Sequence, residues 1–176
     1  MALDVRIMTF VTNFDGAGPG HSAVAVGNLV YTFENTGGWL SASSGWSTKE
    51  ITMYMRANEH RPILLQTLNS QVNAGNVVEY VRKSAENDDD YFGSGVCSTL
   101  VSRAINYALP ENVIFDPKGI DTPFGVFHCA RRLQLVTKEE YFWPGRAQMP
   151  VLRWASIVNK LKSDYPGVLD KLDISR

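Results

Sequence analysis

The sequence predicts an α+β domain in which an antiparallel sheet of about four to six strands packs against helices. Three features predict it. The pair Gly27-Asn28 stands between two β-prone apolar runs and marks a tight hairpin. A glycine-rich turn at 93–95 runs straight into the apolar-periodic stretch Val96 to Ile105, which marks a helix. Sheet-like segments dominate the first half of the chain and helical ones the second, with no internal repeat, low-complexity tract or linker between them. With 176 residues and 44% hydrophobic content the chain can bury one full core, so 1–176 reads as a single domain.

Taken in order, Val5 to Val11 is apolar enough for a first strand, and Thr12 to Gly20 is a loop. The hairpin follows, with Val26 opposite Leu29 and the register counted outward from that pair. The stretch Gly37 to Trp46 is too rich in Gly and Ser to be regular, yet carries Trp39 and Trp46, either as the wall or lid of a site or folded back as core. Ser47-Thr48-Lys49-Glu50 fits a capping box, predicting a short helix to about Asn58. Pro62 to Leu68 reads as a strand and Gln71 to Ser84 as a helix carrying Val72, Val77, Val78 and Val81. After the Cys97 helix, 110–119 is irregular, Thr122-Pro123 opens another helix, and a last one lies near Val151 to Leu161.

Charge and cysteine usage exclude several classes. The net charge of −1 and a pI near 6.3, with no Lys/Arg stripe, recommend neither nucleic acid nor an anionic membrane as partner. Asp4 and Arg6 interrupt what would have to be the apolar stretch of a signal peptide, and no run approaches membrane-spanning length. The expectation is a chain made in the cytoplasm without stable membrane insertion, for which export would need a leaderless route. Two cysteines, Cys97 and Cys129, make no disulfide framework.

Cys97 is the residue most suggestive of chemistry. It sits where a helix begins, and unpaired N–H groups and the positive end of the helix dipole there favour thiolate over thiol. The alternative is a small buried hydrophobe in the first turn of a core helix. The hairpin shifts the balance toward a nucleophile. Its register sets His21 opposite Glu34, and side chains so opposed share a face with Cβ atoms roughly 5 Å apart. Glu34 could then hold one ring nitrogen of His21 while the other faces a thiol. An isolated His–Glu pair on a hairpin is ordinarily a weak surface ion pair, so the reading depends on Cys97.

The other candidates carry less. His128 and Cys129 are adjacent on a helix and point about 100° apart; Cys129 reads as core, and His128 as a helix-face residue held in reserve as partner for Cys97. His60 lies among charges at a turn. Asp88-Asp89-Asp90 reads as a solvated loop, lacking the alternating oxygen ligands of a calcium loop. No paired Cys/His spacing recommends zinc, and a metal held by His21, Cys97 and Glu34 ranks behind nucleophilic catalysis. No cofactor and no metal are expected.

The order of these motifs carries a resemblance. Gly20-His21-Ser22-Ala23-Val24-Ala25-Val26, a turn, Val30-Tyr31-Thr32-Phe33-Glu34, then a Cys-Ser-Thr-Leu-Val helix and a Thr-Pro-led helix resemble the circularly permuted NlpC-type papain-like superfamily over roughly 5–135. There the histidine strand precedes the cysteine helix, the reverse of ordinary papain-like enzymes. The resemblance implies Cys97 as nucleophile, His21 as general base and acid, and Glu34 as the orienting residue. Many relatives carry Asn before the cysteine where this chain has Val96. Backbone N–H groups around Cys97 and Ser98, helped by the Tyr91 hydroxyl, are expected to bind the oxyanion, and Trp39 and Trp46 to line the substrate.

The resemblance implies a thiol hydrolase of amide bonds, first of all a peptidoglycan stem-peptide endopeptidase or amidase of the antibacterial effector kind, with a cognate immunity protein as inhibitor. One alternative is a thiol acyltransferase or esterase acting on lipid or protein acyl groups. The other is a catalytically inactive binding module with Cys97 buried.

Overall fold

Residues 3–11, 20–35, 44–86, 96–117, 121–143 and 151–171 are described by the computed structural model. Trp39, Tyr91 and Asp88 to Asp90 lie outside them.

Six strands form one antiparallel sheet: β1 (Val5–Phe10), β2 (His21–Val26), β3 (Leu29–Asn35), β4 (Ser44–Glu50), β5 (Ile63–Leu68) and β6 (Val136–Phe142). Their order across the sheet is β4-β3-β2-β1-β5-β6. Five helices accompany them among the described residues: α1 (Ile51–Ala57), α2 (Ala74–Glu86), α3 (Val96–Ala108), α4 (Pro123–Arg132) and α5 (Val151–Asp164). Among the same residues no helix is long and apolar enough to cross a membrane.

The hairpin forms with the expected turn, Val26 opposite Leu29 and Ala25 opposite Val30. Gly27 adopts φ +59°, which a side chain would resist. Alternation along the strands then divides the core. Ile7, Val24 and Val26 face one way, onto Val77 of α2, Val101, Ala104 and Ile105 of α3, and Val126 and Ala130 of α4. Met8, Phe10, Ala23, Ala25 and Val30 face the other, onto Ile51 and Tyr54 of α1. Beside α4, Phe127, Val11 and Leu64 pack with Ile157 and Leu161 of α5 and with Tyr165 beyond it.

Several boundaries differ from expectation. Ser44 to Trp46 are not irregular but belong to β4, where Trp46 pairs with Phe33. The expected capping box is displaced: Ser47 to Glu50 extend β4, and Glu50 itself caps α1, its carboxylate accepting from the Met53 N–H at 2.9 Å. Helix α2 begins later than expected because the Asn73 side chain caps it, accepting from the Asn76 N–H at 3.0 Å. Strand β6 was not foreseen at all. Thr122 caps α4 through the Gly125 N–H, with Pro123 in the first turn, as the sequence suggests.

Candidate active site

One end of the sheet gathers the chemistry-bearing residues. Strand β1 ends at Phe10, which pairs with His21 at the start of β2 and with Ile63 at the start of β5. Gly20 turns the chain into β2 at φ +86°, and a Cβ there would come within 2.2 Å of the Phe10 carbonyl oxygen. Glycine at this position therefore fixes where His21 enters the sheet.

Helix α3 starts at the same end. Ser98, directly after Cys97, donates to the hydroxyl of Ser22, directly after His21, at 3.5 Å. Cys97 remains partly exposed, its Sγ 3.8 Å from Ser98 Oγ. The Ser98 side chain is fully buried and braces the helix against the strand, so any part Ser98 takes at the oxyanion falls to its backbone N–H, as expected of it.

His21 and Cys97 approach this end from different sides of the sheet. Ser22 and Val24 face α3, whereas His21, Ala23 and Ala25 alternate onto the side covered by α1. The direct His21–Glu34 contact expected from the hairpin is replaced by a longer connection. His21 Nε2 lies 2.7 Å from Thr32 Oγ1, Thr32 Oγ1 lies 3.0 Å from the Tyr54 hydroxyl, and that hydroxyl donates to Glu34 Oε1 at 3.0 Å. Lys49 Nζ holds the other side of the carboxylate at 2.6 Å, with Ser47 Oγ donating to it at 3.4 Å. The β2–β3 register runs from Val26–Leu29 to Val24–Tyr31 and stops short of His21, whose ring meets Thr32 rather than Glu34.

The electrostatics follow from this enclosure. Burial, then the Arg61 guanidinium, pull the His21 imidazole down to about 4, with Glu34 opposing and Lys49 adding to the fall. The ring is therefore neutral at pH 7. Burial pushes the Glu34 carboxyl upward, but the hydrogen bonds from Lys49 and Tyr54 outweigh it and hold the group below the usual carboxylate range. Burial raises the Tyr54 hydroxyl well above an ordinary tyrosine.

Arg61 is a residue that the sequence reading passed over. Its guanidinium lies 4.7 Å from the centre of the Phe10 ring, and Phe10 in turn packs against His21 with centroids 5.8 Å apart. Arg61 Nη2 donates to Asn58 Oδ1 at 2.5 Å, and Asn58 Nδ2 donates to the Tyr54 carbonyl at 2.9 Å. Burial lowers the guanidinium's pKa against the opposing pull of Tyr54, Cys97 and Glu34, so Arg61 lies within electrostatic reach of both Cys97 and the His21 network. It also lines a cleft of about 320 Å³ with Arg56, Glu59, Phe142 and Trp143. The available signal was its place directly before Pro62, at the junction of α1 with β5.

The remaining candidates are occupied elsewhere. His128 Nε2 bonds the Asp164 carbonyl at 3.2 Å, and its ring stacks on Tyr165, which places it in the α4–α5 seam rather than in reserve for Cys97. Cys129 is fully buried in the core. Trp46 is partly buried, donating from Nε1 to Ser84 Oγ of α2 at 2.9 Å and packing edge-on against Phe33. Its indole thus ties β4 to α2 on the side away from His21. Among the described residues no three His, Cys, Asp or Glu side chains come together to hold a metal.

Comparison with known proteins returns no match among family models, curated proteins or solved structures.

Proposed function

We propose that this protein is a thiol hydrolase of amide bonds, with Cys97 as nucleophile, His21 as general base and acid, and Glu34 acting behind His21. The permuted papain-like arrangement belongs to the same reading. The observation that carries it is the Ser98–Ser22 hydrogen bond, which sets the residues after the cysteine and the histidine side by side where α3 begins. A helix start at the same end of the sheet as a histidine linked to a half-buried, hydrogen-bonded carboxylate supports the reading of Cys97 as an activated nucleophile.

With Nε2 of His21 engaged by Thr32, Nδ1 is the nitrogen that would serve the thiol. Because the ring is neutral at rest, proton transfer accompanies attack. Nδ1 takes the Cys97 proton as Sγ bonds to the carbonyl carbon, and the imidazolium then gives that proton to the leaving amine as the C–N bond breaks. Water attacks the thioester, His21 takes its proton and returns it to sulfur, and the acid departs. The preferred substrate is a stem-peptide amide of peptidoglycan, hydrolysed outside the producing cell and blocked at home by an immunity protein; this choice rests on the resemblance.

A second reading, a non-catalytic binding module, draws on the opposite faces taken by α3 and the His21 ring. One experiment separates them. Labelled stem peptides and acyl esters are offered together to the wild type, Cys97→Ala and His21→Ala, while iodoacetamide alkylation at Cys97 is followed in the wild type and His21→Ala. Amide cleavage that falls at least about a thousandfold in both variants is the expected result. Turnover of neither substrate, with alkylation indifferent to His21, overturns the hydrolase reading; ester turnover alone points to the acyltransferase.

A further inference from the structure

Thr32 and Tyr54 belong to none of the roles assigned so far, yet both are buried and both spend their hydroxyls on the line between His21 and Glu34. A buried hydroxyl without a partner is costly, so the protons in this line must be arranged to fill its gaps.

The gaps can be counted. There are three short ones: His21 Nε2 to Thr32 Oγ1 at 2.7 Å, Thr32 Oγ1 to the Tyr54 oxygen at 3.0 Å, and the Tyr54 oxygen to Glu34 Oε1 at 3.0 Å. The ionised carboxylate brings no proton, and each hydroxyl brings one. Two protons cannot fill three gaps. If Nε2 were bare, two oxygens would face each other at 3.0 Å with nothing between them, or Thr32 would leave the imidazole unserved. All three gaps are filled only when Nε2 carries a hydrogen, the Thr32 hydroxyl points at Tyr54, and the Tyr54 hydroxyl points at Glu34. The Thr32 hydroxyl can also donate to Glu34 Oε1 at 3.5 Å, and in that orientation too it leaves the first gap to a hydrogen on Nε2.

We infer that Thr32 and Tyr54 are positioning residues that order the protons from His21 to Glu34, fixing the Nε2–H tautomer and leaving Nδ1 of His21 as the basic nitrogen. The catalytic meaning of that tautomer rests on the proposed thiol-hydrolase reading; the proton order does not. Glu34 acts on the base through two hydroxyls, and each oxygen–hydrogen dipole along the chain points the same way, so the carboxylate's charge is passed on rather than dissipated.

The test is histidine-selective ¹⁵N NMR on the full chain at pH 7, with the His21 signals identified by their loss in His21→Gln. The wild type should show a protonated Nε2 and a bare Nδ1. Tyr54→Phe removes one proton from the chain, and Thr32→Val cuts it; each should mix the tautomers, whereas Thr32→Ser should restore the wild-type pattern. If a hydrolysable amide is in hand, Tyr54→Phe lowers kcat by about tenfold with KM unmoved, the worth of one such hydrogen bond. An Nδ1–H tautomer in the wild type overturns the inference without any variant having to fold, as does a pattern that ignores both substitutions. A correct tautomer beside an inert Cys97 sustains the proton order and defeats the hydrolase reading instead.

Discussion

Two glutamates in this protein gather the same ingredients and use them differently. Glu34 of β3 holds Lys49 and the Tyr54 hydroxyl; Glu139 of β6 holds Arg131 and the Tyr141 hydroxyl. They lie on opposite faces of the sheet, the first toward α1 and the second toward α4. Around Glu139 the hydrogen bonds stay within one seam, which borders a cleft of about 550 Å³. Arg131 donates to both carboxylate oxygens, at 2.6 Å each, while stacking 4.5 Å over the Phe127 ring. Gln66 Nε2 reaches Glu139 Oε1 at 3.0 Å and the Phe127 carbonyl at 3.2 Å. Every partner is anchored to the α4–β5–β6 seam. Around Glu34 the network runs on through Tyr54 and Thr32 to a histidine at the end of the sheet where α3 begins. A carboxylate paired with a tyrosine is therefore no sign of function by itself; what sets Glu34 apart is the titratable His21 at the far end of its chain.

The widest separation between the two should appear on neutralising each carboxylate. Glu34→Gln keeps a hydrogen-bond acceptor but removes the charge behind His21, and kcat for amide cleavage should fall roughly a hundredfold while some turnover survives. Glu139→Gln should leave turnover alone and cost about 2 to 3 kcal/mol in urea unfolding, because it strands a half-buried Arg131. Wild-type turnover in Glu34→Gln would remove that residue from the site and make the two networks equivalent.

The pH dependence of stability sharpens the contrast next. His21 is pulled to about 4 from its ordinary 6.5, so between those values the unfolded chain binds a proton that the native chain refuses. Its stabilising contribution is complete above about pH 6.5 and is lost as the pH falls toward 4, on the order of 2 kcal/mol once partial exposure is allowed for. Glu139 is held at about 2 despite burial, by Arg131, Tyr141 and Gln66, so its share is present above the ordinary carboxyl range and disappears only as the pH falls toward 2. Burial lowers His60 and His128 as well, and they add to the slope below their ordinary value. Urea midpoints from pH 7 to 3 should lose part of their upper slope in His21→Gln and none of it in Glu139→Gln. An unchanged slope between pH 6.5 and 4 in His21→Gln would mean that the imidazole is solvated rather than enclosed.

The sequence made the hairpin legible because a positive-φ turn fixes a register locally, and the α3 and α4 starts because caps and apolar spacing are local too. Strands β4 and β6 escaped for the opposite reason. Ser44 to Glu50 and Val136 to Phe142 are rich in Ser, Thr, Lys and Glu, and they become strands only by pairing with β3 and β5, distant or chemically unlike neighbours. The spacing of Ser47 and Glu50 even imitated a capping box. In the candidate site, Cys97, His21 and Glu34 could be named from motif order, but Tyr54 and Arg61 could not. Both come from the segment linking β4 to β5 and reach His21 only once α1 has folded over Phe10. Thr32 shares a face of β3 with Glu34 two residues away, so strand alternation alone places it beside the carboxylate.

The smallest effect separates the cations. Lys49 is 43% exposed and meets Glu34 as a point charge, whereas Arg131 is 29% exposed and grips Glu139 with two parallel bonds. Lys49→Met should accordingly cost less than about 1 kcal/mol, and that cost should shrink as salt rises from about 0.01 M to about 1 M, where the screening length falls to a few ångströms. Arg131→Met should cost more and respond little to salt. Tyr54 still donates to Glu34 when Lys49 is gone, so the order of protons up to His21 survives and kcat should move less than in Tyr54→Phe. A salt-independent loss of 2 kcal/mol or more in Lys49→Met would place the lysine inside a closed cluster. The Glu34 network would then be a second structural seam, with His21 an enclosed core histidine rather than the open end of a working one.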